Sequence, residues 1–237
     1  MKRIGKGELR MTAEEMTPYG REAARVADQV ATRYAEVAPA HQHSQIAVVE
    51  RLLTRLPRGA RALDAGCGTG RPTCAQLCAG GLDVTGIDVS EAMLAAARAN
   101  VPQARFLQLD LLGEQATGLG TFDAVVSFFC LMNLPEPVFV SALARFASLA
   151  GRDGTVVVGV PERPGDTPVE GLYGTYQPPR CTRQDLRHRA EQAGLAVEEI
   201  EVRPGTGLMG AEEEHLFLYA RPVPPGASAA SPADHSG

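Results

Sequence analysis

Leu63-Asp64-Ala65-Gly66-Cys67-Gly68-Thr69-Gly70 is the stretch on which the reading of this chain turns. A short apolar run, 60–65, leads into it, and a run with helical spacing, 72–79, follows at once. Glycines at alternate positions let the backbone bend sharply and come close to a bound molecule, because no Cβ blocks the turn or the contact. Between a strand and a helix, such a loop stands at the carboxyl edge of a parallel sheet, where open α/β folds bind ligands. The Gly-Lys-Ser/Thr ending of a phosphate-cradling loop is missing. A dinucleotide fingerprint needs glycines at its first, third and sixth positions, and the sixth position counted from Gly66 is Arg71. What remains is acidic-x-Gly-x-Gly-x-Gly.

Downstream, short β-branched or apolar runs alternate with helical ones. Strands are expected over 82–89, 105–109, 122–127 and 155–160, and helices over 91–100, 138–150 and 183–193. Ser90 and Thr182 fit N-caps, while Gly80 and Gly194 fit helix stops. This alternation predicts an α/β fold with a parallel sheet covered by helices on both faces. Two strand-like runs, 197–202 and 215–220, then follow without a helix between them and would pair as a hairpin, making the last strand antiparallel. Upstream, 21–35 and 46–56 show apolar residues at helical spacing, and the bend between them holds His41 and His43. The organisation expected is a flexible 1–20, a helical lid or appendage over 21–57, a core over 58–221 and a disordered tail over 222–237.

Composition narrows the function classes. The 237 residues carry a net charge of −5, and Lys2 and Lys6 are the only lysines, so the chain is a poor candidate for binding nucleic acid. No apolar run reaches the length of a membrane span, and the N-terminus lacks the apolar core of a secretory signal. Five cysteines, an odd number, argue against a disulfide framework; with no export signal the expected compartment is the cytoplasm. Cys67, Cys74 and Cys78 match no zinc spacing, so no metal is expected, and Cys74 and Cys78 read as small helix-packing residues.

The loop and its sequel resemble the class I S-adenosylmethionine-dependent methyltransferases. The resemblance covers about residues 20–221. It implies a doubly wound, mostly parallel seven-stranded sheet of the Rossmann-like methyltransferase fold, with an antiparallel last strand and an N-terminal helical lid. It also implies S-adenosylmethionine as cofactor and S-adenosylhomocysteine as product. In that reading Asp64, Gly66, Gly68 and Gly70 form the first cofactor loop. Asp88, with Val89 beside it, ends the second strand 22 residues past Gly66 and would take the ribose hydroxyls. Met93 would pack on the adenine face, and Asp110, followed by Leu111, would face the adenine amino group. Asp123 would be structural, and the backbone near Ser127 and Phe128 would meet the amino-acid end. The Ala31-Thr32-Arg33-Tyr34 pattern resembles a lid helix whose tyrosine reaches the cofactor carboxylate, although the usual companion acid is Ala35 here.

The acceptor implied is a small molecule offering an O, N or C nucleophile, as in specialised-metabolite biosynthesis. Its pocket is expected from 128–133, from the long segment 161–181 and from 203–214. His41, His43 and His215 are the candidate bases, needed only if the nucleophile arrives protonated. The Asp/Asn-Pro-Pro-Tyr motif of exocyclic-amine methylation does not follow the fourth strand, which runs Ser127-Phe128-Phe129-Cys130. Two other readings share the same motifs: a cofactor-binding enzyme without methyl transfer, such as a cyclase, and a non-catalytic scaffold subunit.

Overall fold

A computed structural model describes residues 11–38, 42–165, 167–172 and 174–224. Its sheet is built from β1 (Arg61–Ala65), β2 (Asp83–Asp88), β3 (Arg105–Gln108), β4 (Ala124–Phe128) and β5 (Thr155–Pro161), all parallel. A small separate hairpin, β6 (Val169–Gly171) and β7 (Gly174–Tyr176), lies in the segment after β5. The chain closes with β8 (Leu195–Thr206) and β9 (Glu212–Pro222), and β9 is antiparallel to both β5 and β8. The strand order is β3-β2-β1-β4-β5-β9-β8. This is the Rossmann-like methyltransferase fold, with the reversed last strand expected from the helix-free end of the sequence.

Helices α1 (Pro18–Val37), α2 (His43–Leu53), α3 (Thr73–Ala79), α4 (Glu91–Asn100), α5 (Glu136–Ala150) and α6 (Arg183–Gln192) flank the sheet. Alternate residues of each strand feed two apolar layers. Leu63, Ala65, Ile87, Val125 and Val158 join α5 and α6 in one layer, while Ala62, Val84, Val126 and Val157 join α2, α3 and α4 in the other. Burial on both faces explains why β4 and β5 read as unbroken apolar runs rather than alternating ones. Ser90 and Thr182 do cap their helices, accepting from the N–H groups of Met93 and Asp185.

The expected boundaries change in two places. Of the stretch expected to be flexible, residues 11–20 are anchored: Met11 and Met16 sit buried in the α5/α6 layer beside Leu109. Pro18 opens α1 behind Thr17, whose hydroxyl accepts from the Gly20 N–H and whose own N–H and O–H bind the buried Asp110 carboxylate. The expected lid also divides. α2 buries Val48, Val49 and Leu52 completely in the opposite layer. Each such side chain contributes about 1.5–3 kcal/mol. Arg51 ties α2 further to the sheet, pairing with Glu199 at 2.5 Å and Glu201 at 3.0 Å while its guanidinium lies 4.6 Å from the Tyr219 ring centre. α2 is therefore core, with only its first residues, His43 and Ser44, at the rim of a cleft. His41 lies outside the described residues.

Candidate active site

The glycine loop leaves β1 with three left-handed residues: Gly66 at φ +78°, Gly68 at +51° and Gly70 at +76°. The N–H groups of Gly66 and Cys67 donate to the Ile87 carbonyl at 2.8 and 3.0 Å, which fixes the loop to the end of β2. The glycines are not equivalent. A Cβ on Gly66 would strike Cys130, and one on Gly70 would lie 3.2–3.4 Å from Val101, Phe106 and Ala97. A Cβ on Gly68 would meet only the Tyr34 ring edge, 3.8 Å away. Gly68 thus faces the cleft, with Tyr34 of α1 standing over it.

Asp88 ends β2 below this point. Its Oδ2 accepts the Gly68 N–H and its Oδ1 the Ser90 N–H, each at 2.9 Å. Every carboxylate oxygen keeps a second lone pair, so the group retains acceptor capacity on both oxygens. Burial pushes its pKa above the usual aspartate range, against the lowering effect of those N–H donors. Asp64, 2% exposed, accepts the Cys74 thiol at 3.2 Å and is pushed up to about 7, by burial first and by the Asp88 charge as well. Cys74 is therefore a donor to the loop acid as well as a packing residue. The Tyr34 phenol is pushed up to about 12 by desolvation and stays neutral at ordinary pH. Two carboxyls close together, with burial disfavouring both charges, make a site suited to a cation.

α1 is held across the cleft by a contact that no motif signalled. Asp28 accepts the Ser90 hydroxyl at 2.5 Å and the Ala92 N–H at 3.3 Å, at the N-terminal end of α4. The next candidates lie around the same rim. Val89 is half-buried, its carbonyl accepting from Gln108, and Met93 is buried in α4. Asp110 is buried with its carboxylate taken by Thr17 and by the Leu112 N–H, while its own N–H points to the Met11 sulfur at 3.1 Å. Leu111 is half-buried against the α5/α6 layer. Ser127 is fully buried and its hydroxyl donates to the Ala65 carbonyl, stitching β4 to β1 at the cleft floor. Phe128 turns into the core, edge-on to Phe217.

The side chains that reach the cleft from β4 are the next two. Phe129 adopts φ +57°, the only non-glycine residue with positive φ among the described residues, and this turns Cys130 against Gly66. The Cys130 thiol, open to the cleft, is pushed up to about 12, by desolvation first and by the Asp88 and Asp64 charges as well. On its other side, the Phe129 ring lies 4.6 Å from the His215 ring, tilted by 58°.

Of the candidate bases, His215 and His43 come to one place. His215, 2% exposed near the start of β9, has Nδ1 2.6 Å from the Ser44 hydroxyl and Nε2 3.0 Å from Glu213. Burial raises the Glu213 pKa, but the contacts to His215 and Arg163 outweigh it and hold the carboxyl below its usual range. Glu213 and Ser44 line a cleft of about 530 Å³ together with His43, Gly205, Glu212 and Glu214. Glu213 was legible as a partner, since it stands two residues from His215 on one strand face. Ser44, 171 positions away, gave no signal.

Residues 62–154 match the family described as "methyltransferase domain". The matched segment runs from β1 to the end of α5, and the sheet order with its reversed last strand is that of the class I methyltransferase fold. Among solved structures the chain is similar to a TehB-like SAM-dependent methyltransferase from Corynebacterium glutamicum, at 26% identity and a TM-score of 0.60, covering 84% of this chain and 98% of that one. It shares its fold with DhpI, solved as an SAH complex, at 21% identity and a TM-score of 0.65, over 88% of this chain and 100% of that one. Among curated proteins, it is 32% identical over 130 residues to demethylmenaquinone methyltransferase of Bacillus licheniformis, covering 52% of this chain and 54% of that one. The chain spans about half or less of the length of the first curated relatives it matches. Among the described residues, no helix is long and apolar enough to cross a membrane.

Proposed function

We propose that this chain is a cytoplasmic S-adenosylmethionine-dependent methyltransferase acting on an O, N or C nucleophile of a small molecule in specialised-metabolite biosynthesis. The observation that carries the reading is the alignment of Gly68, Asp88 and Tyr34 around one open point of the cleft. In this assignment the free lone pairs of Asp88 receive the ribose hydroxyls. Val89 and Met93 border the adenine, with Asp110 and Leu111 at its far edge. The loop Asp64–Gly66–Gly68–Gly70, the backbone at Ser127 and Phe128, and Tyr34 surround the methionine end. The paired acids Asp64 and Asp88 favour a ligand carrying a sulfonium and an ammonium over a dinucleotide phosphate. A net charge of −5 favours a small acceptor over nucleic acid.

Displacement at the sulfonium is in-line, so the protein's contribution is alignment of the two reactants and exclusion of water. Tyr34 and α1 cover the site from above. The test is calorimetry of S-adenosylmethionine and S-adenosylhomocysteine binding. Asp88→Ala removes charge-assisted hydrogen bonds of about 1.5–3 kcal/mol each, so affinity should fall at least about tenfold. Unchanged affinity in a folded Asp88→Ala protein, or equal binding of a nicotinamide dinucleotide, overturns the reading.

A further inference from the structure

Beyond the cofactor, the molecule holds a polar chain that the assignment above does not use: Ser44, His215, Glu213 and Arg163. The Ser44 hydroxyl meets Nδ1 of His215 at 2.6 Å, Nε2 meets Glu213 at 3.0 Å, and Arg163 meets Glu213 at 2.5 Å. Glu213 is an ionised acceptor, so the one proton of a neutral imidazole sits on Nε2. Nδ1 is then the acceptor, and it takes the Ser44 hydroxyl proton. Ser44 lines the cleft between the start of α2 and the β8–β9 hairpin, and its oxygen, donating to Nδ1, keeps acceptor capacity. Two adjacent residues link His215 to the cofactor loop: the Phe129 ring lies against the His215 ring, and Cys130 stands beside Gly66.

We infer that this cleft is the acceptor site and that its acceptor is a neutral hydroxyl compound of the phenol or enol kind, deprotonated through Ser44 to His215. The inference rests on the proposed methyltransferase activity. A relay ending in a neutral imidazole is of use only to a nucleophile that arrives protonated. A carboxylate acceptor needs no base, and Glu212, Glu213 and Glu214 around the opening would repel it. The acceptor O–H passes its proton to Ser44 Oγ as Ser44 passes its own to Nδ1. The acceptor oxygen forms the new C–O bond with the methyl carbon while the C–S pair returns to sulfur. The products are the methyl ether, S-adenosylhomocysteine and an imidazolium held by Glu213. Ser44 is the residue that touches the acceptor, and His215 and Glu213 are positioning residues acting through it. The charged and titratable groups around His215 are His43 at the start of α2, Arg203 opposite it on β8 with its partner Glu201, Glu213 beside it on β9, and Arg163, which pairs with Glu213.

The experiment measures S-adenosylhomocysteine formation by the full chain with S-adenosylmethionine and a probe panel of phenol, catechol, 2-naphthol, benzylamine and benzoate, across pH 6–9. Phenolic probes are expected to turn over, with a rate that rises less steeply with pH than for an acceptor ionising unaided. In His215→Gln the rate should fall about 100-fold and rise about tenfold per pH unit throughout, as for an acceptor that must ionise unaided. Ser44→Ala, which leaves His215 in place, should fall at least about tenfold, and Ser44→Thr should recover most of the loss. Cofactor affinity, measured separately, should stay within about twofold in all three. Turnover of the amine or the carboxylate alone overturns the inference, as does a phenol rate unmoved by the variants or lowered without a change in pH profile. Silence of the whole panel with cofactor bound normally also overturns it, whereas failure to bind cofactor overturns the proposed function instead.

Discussion

Asp64→Asn isolates the electrostatics of the glycine loop. Asp64 is 2% exposed, has one thiol donor, and stands near Asp88, which together move its pKa from 3.8 to about 7. A carboxyl whose pKa is raised on folding binds its proton more tightly in the folded state. Below about pH 4 both states are protonated and the group has no effect on stability. Between about 4 and 7 the unfolded chain ionises first, so stability falls as pH rises; above about 7 the loss is constant. At about 1.4 kcal/mol per pH unit, the loss approaches about 4 kcal/mol. Asparagine is close in shape, still accepts the Cys74 thiol and cannot ionise. Urea unfolding of the unliganded protein should therefore show a variant close to wild type at or below about pH 4 and more stable by up to about 4 kcal/mol at pH 8. A pH-independent difference, or a wild type that is the more stable at pH 8, refutes this account of the loop.

Three further outcomes are expected. Because Asp64 is partly protonated near pH 7, binding of the ammonium and sulfonium of S-adenosylmethionine beside it should release a fraction of a proton, seen as different calorimetric heats in phosphate and Tris; identical heats would place these cations elsewhere. Gly68→Val forces a β-branched residue to φ +51° and points it at Tyr34, so cofactor affinity should drop by more than about tenfold, and affinity within twofold of wild type counts against the site. A chain starting at Gln42 loses Met11, Met16, Thr17 and α1 but keeps α2. Each buried Met contributes about 1.5–3 kcal/mol, so cooperative unfolding should persist at lower stability while cofactor affinity falls. Loss of cooperative unfolding would make α1 part of the core, and unchanged affinity would remove its covering role.

Much of the architecture was legible because it is written locally. Alternating runs and capping residues located the parallel strands and their helices within a few residues, and the absence of a helix before 215–220 foretold the reversed β9. The glycine loop was legible for the same reason, since its three left-handed turns need a residue without Cβ. What escaped was long-range. An amphipathic α2 looks the same whether it covers a cleft or a sheet, and its partners Glu199 and Glu201 come about 150 positions later. Two methionines in a polar stretch show no period, so the anchoring of 11–17 was invisible. β6 and β7 have three residues each, too few for a repeat to register. Asp28 and Ser44 are ordinary helix residues until the fold brings Ser90 and His215 beside them.

The fastening of α1 has a consequence for kinetics. It is held at Thr17 by the Asp110 carboxylate and at Asp28 by the start of α4, with Tyr34 over Gly68 toward its far end. In the proposed assignment α1 lies across the ligand's path, so exchange is expected to need these fastenings to open. Exchange then has a ceiling set by the opening rate of α1, so the observed association rate should saturate with ligand concentration instead of rising in proportion. Weakening Thr17 or Asp28 should speed arrival and departure together, shortening the residence of the product more than it changes the equilibrium constant.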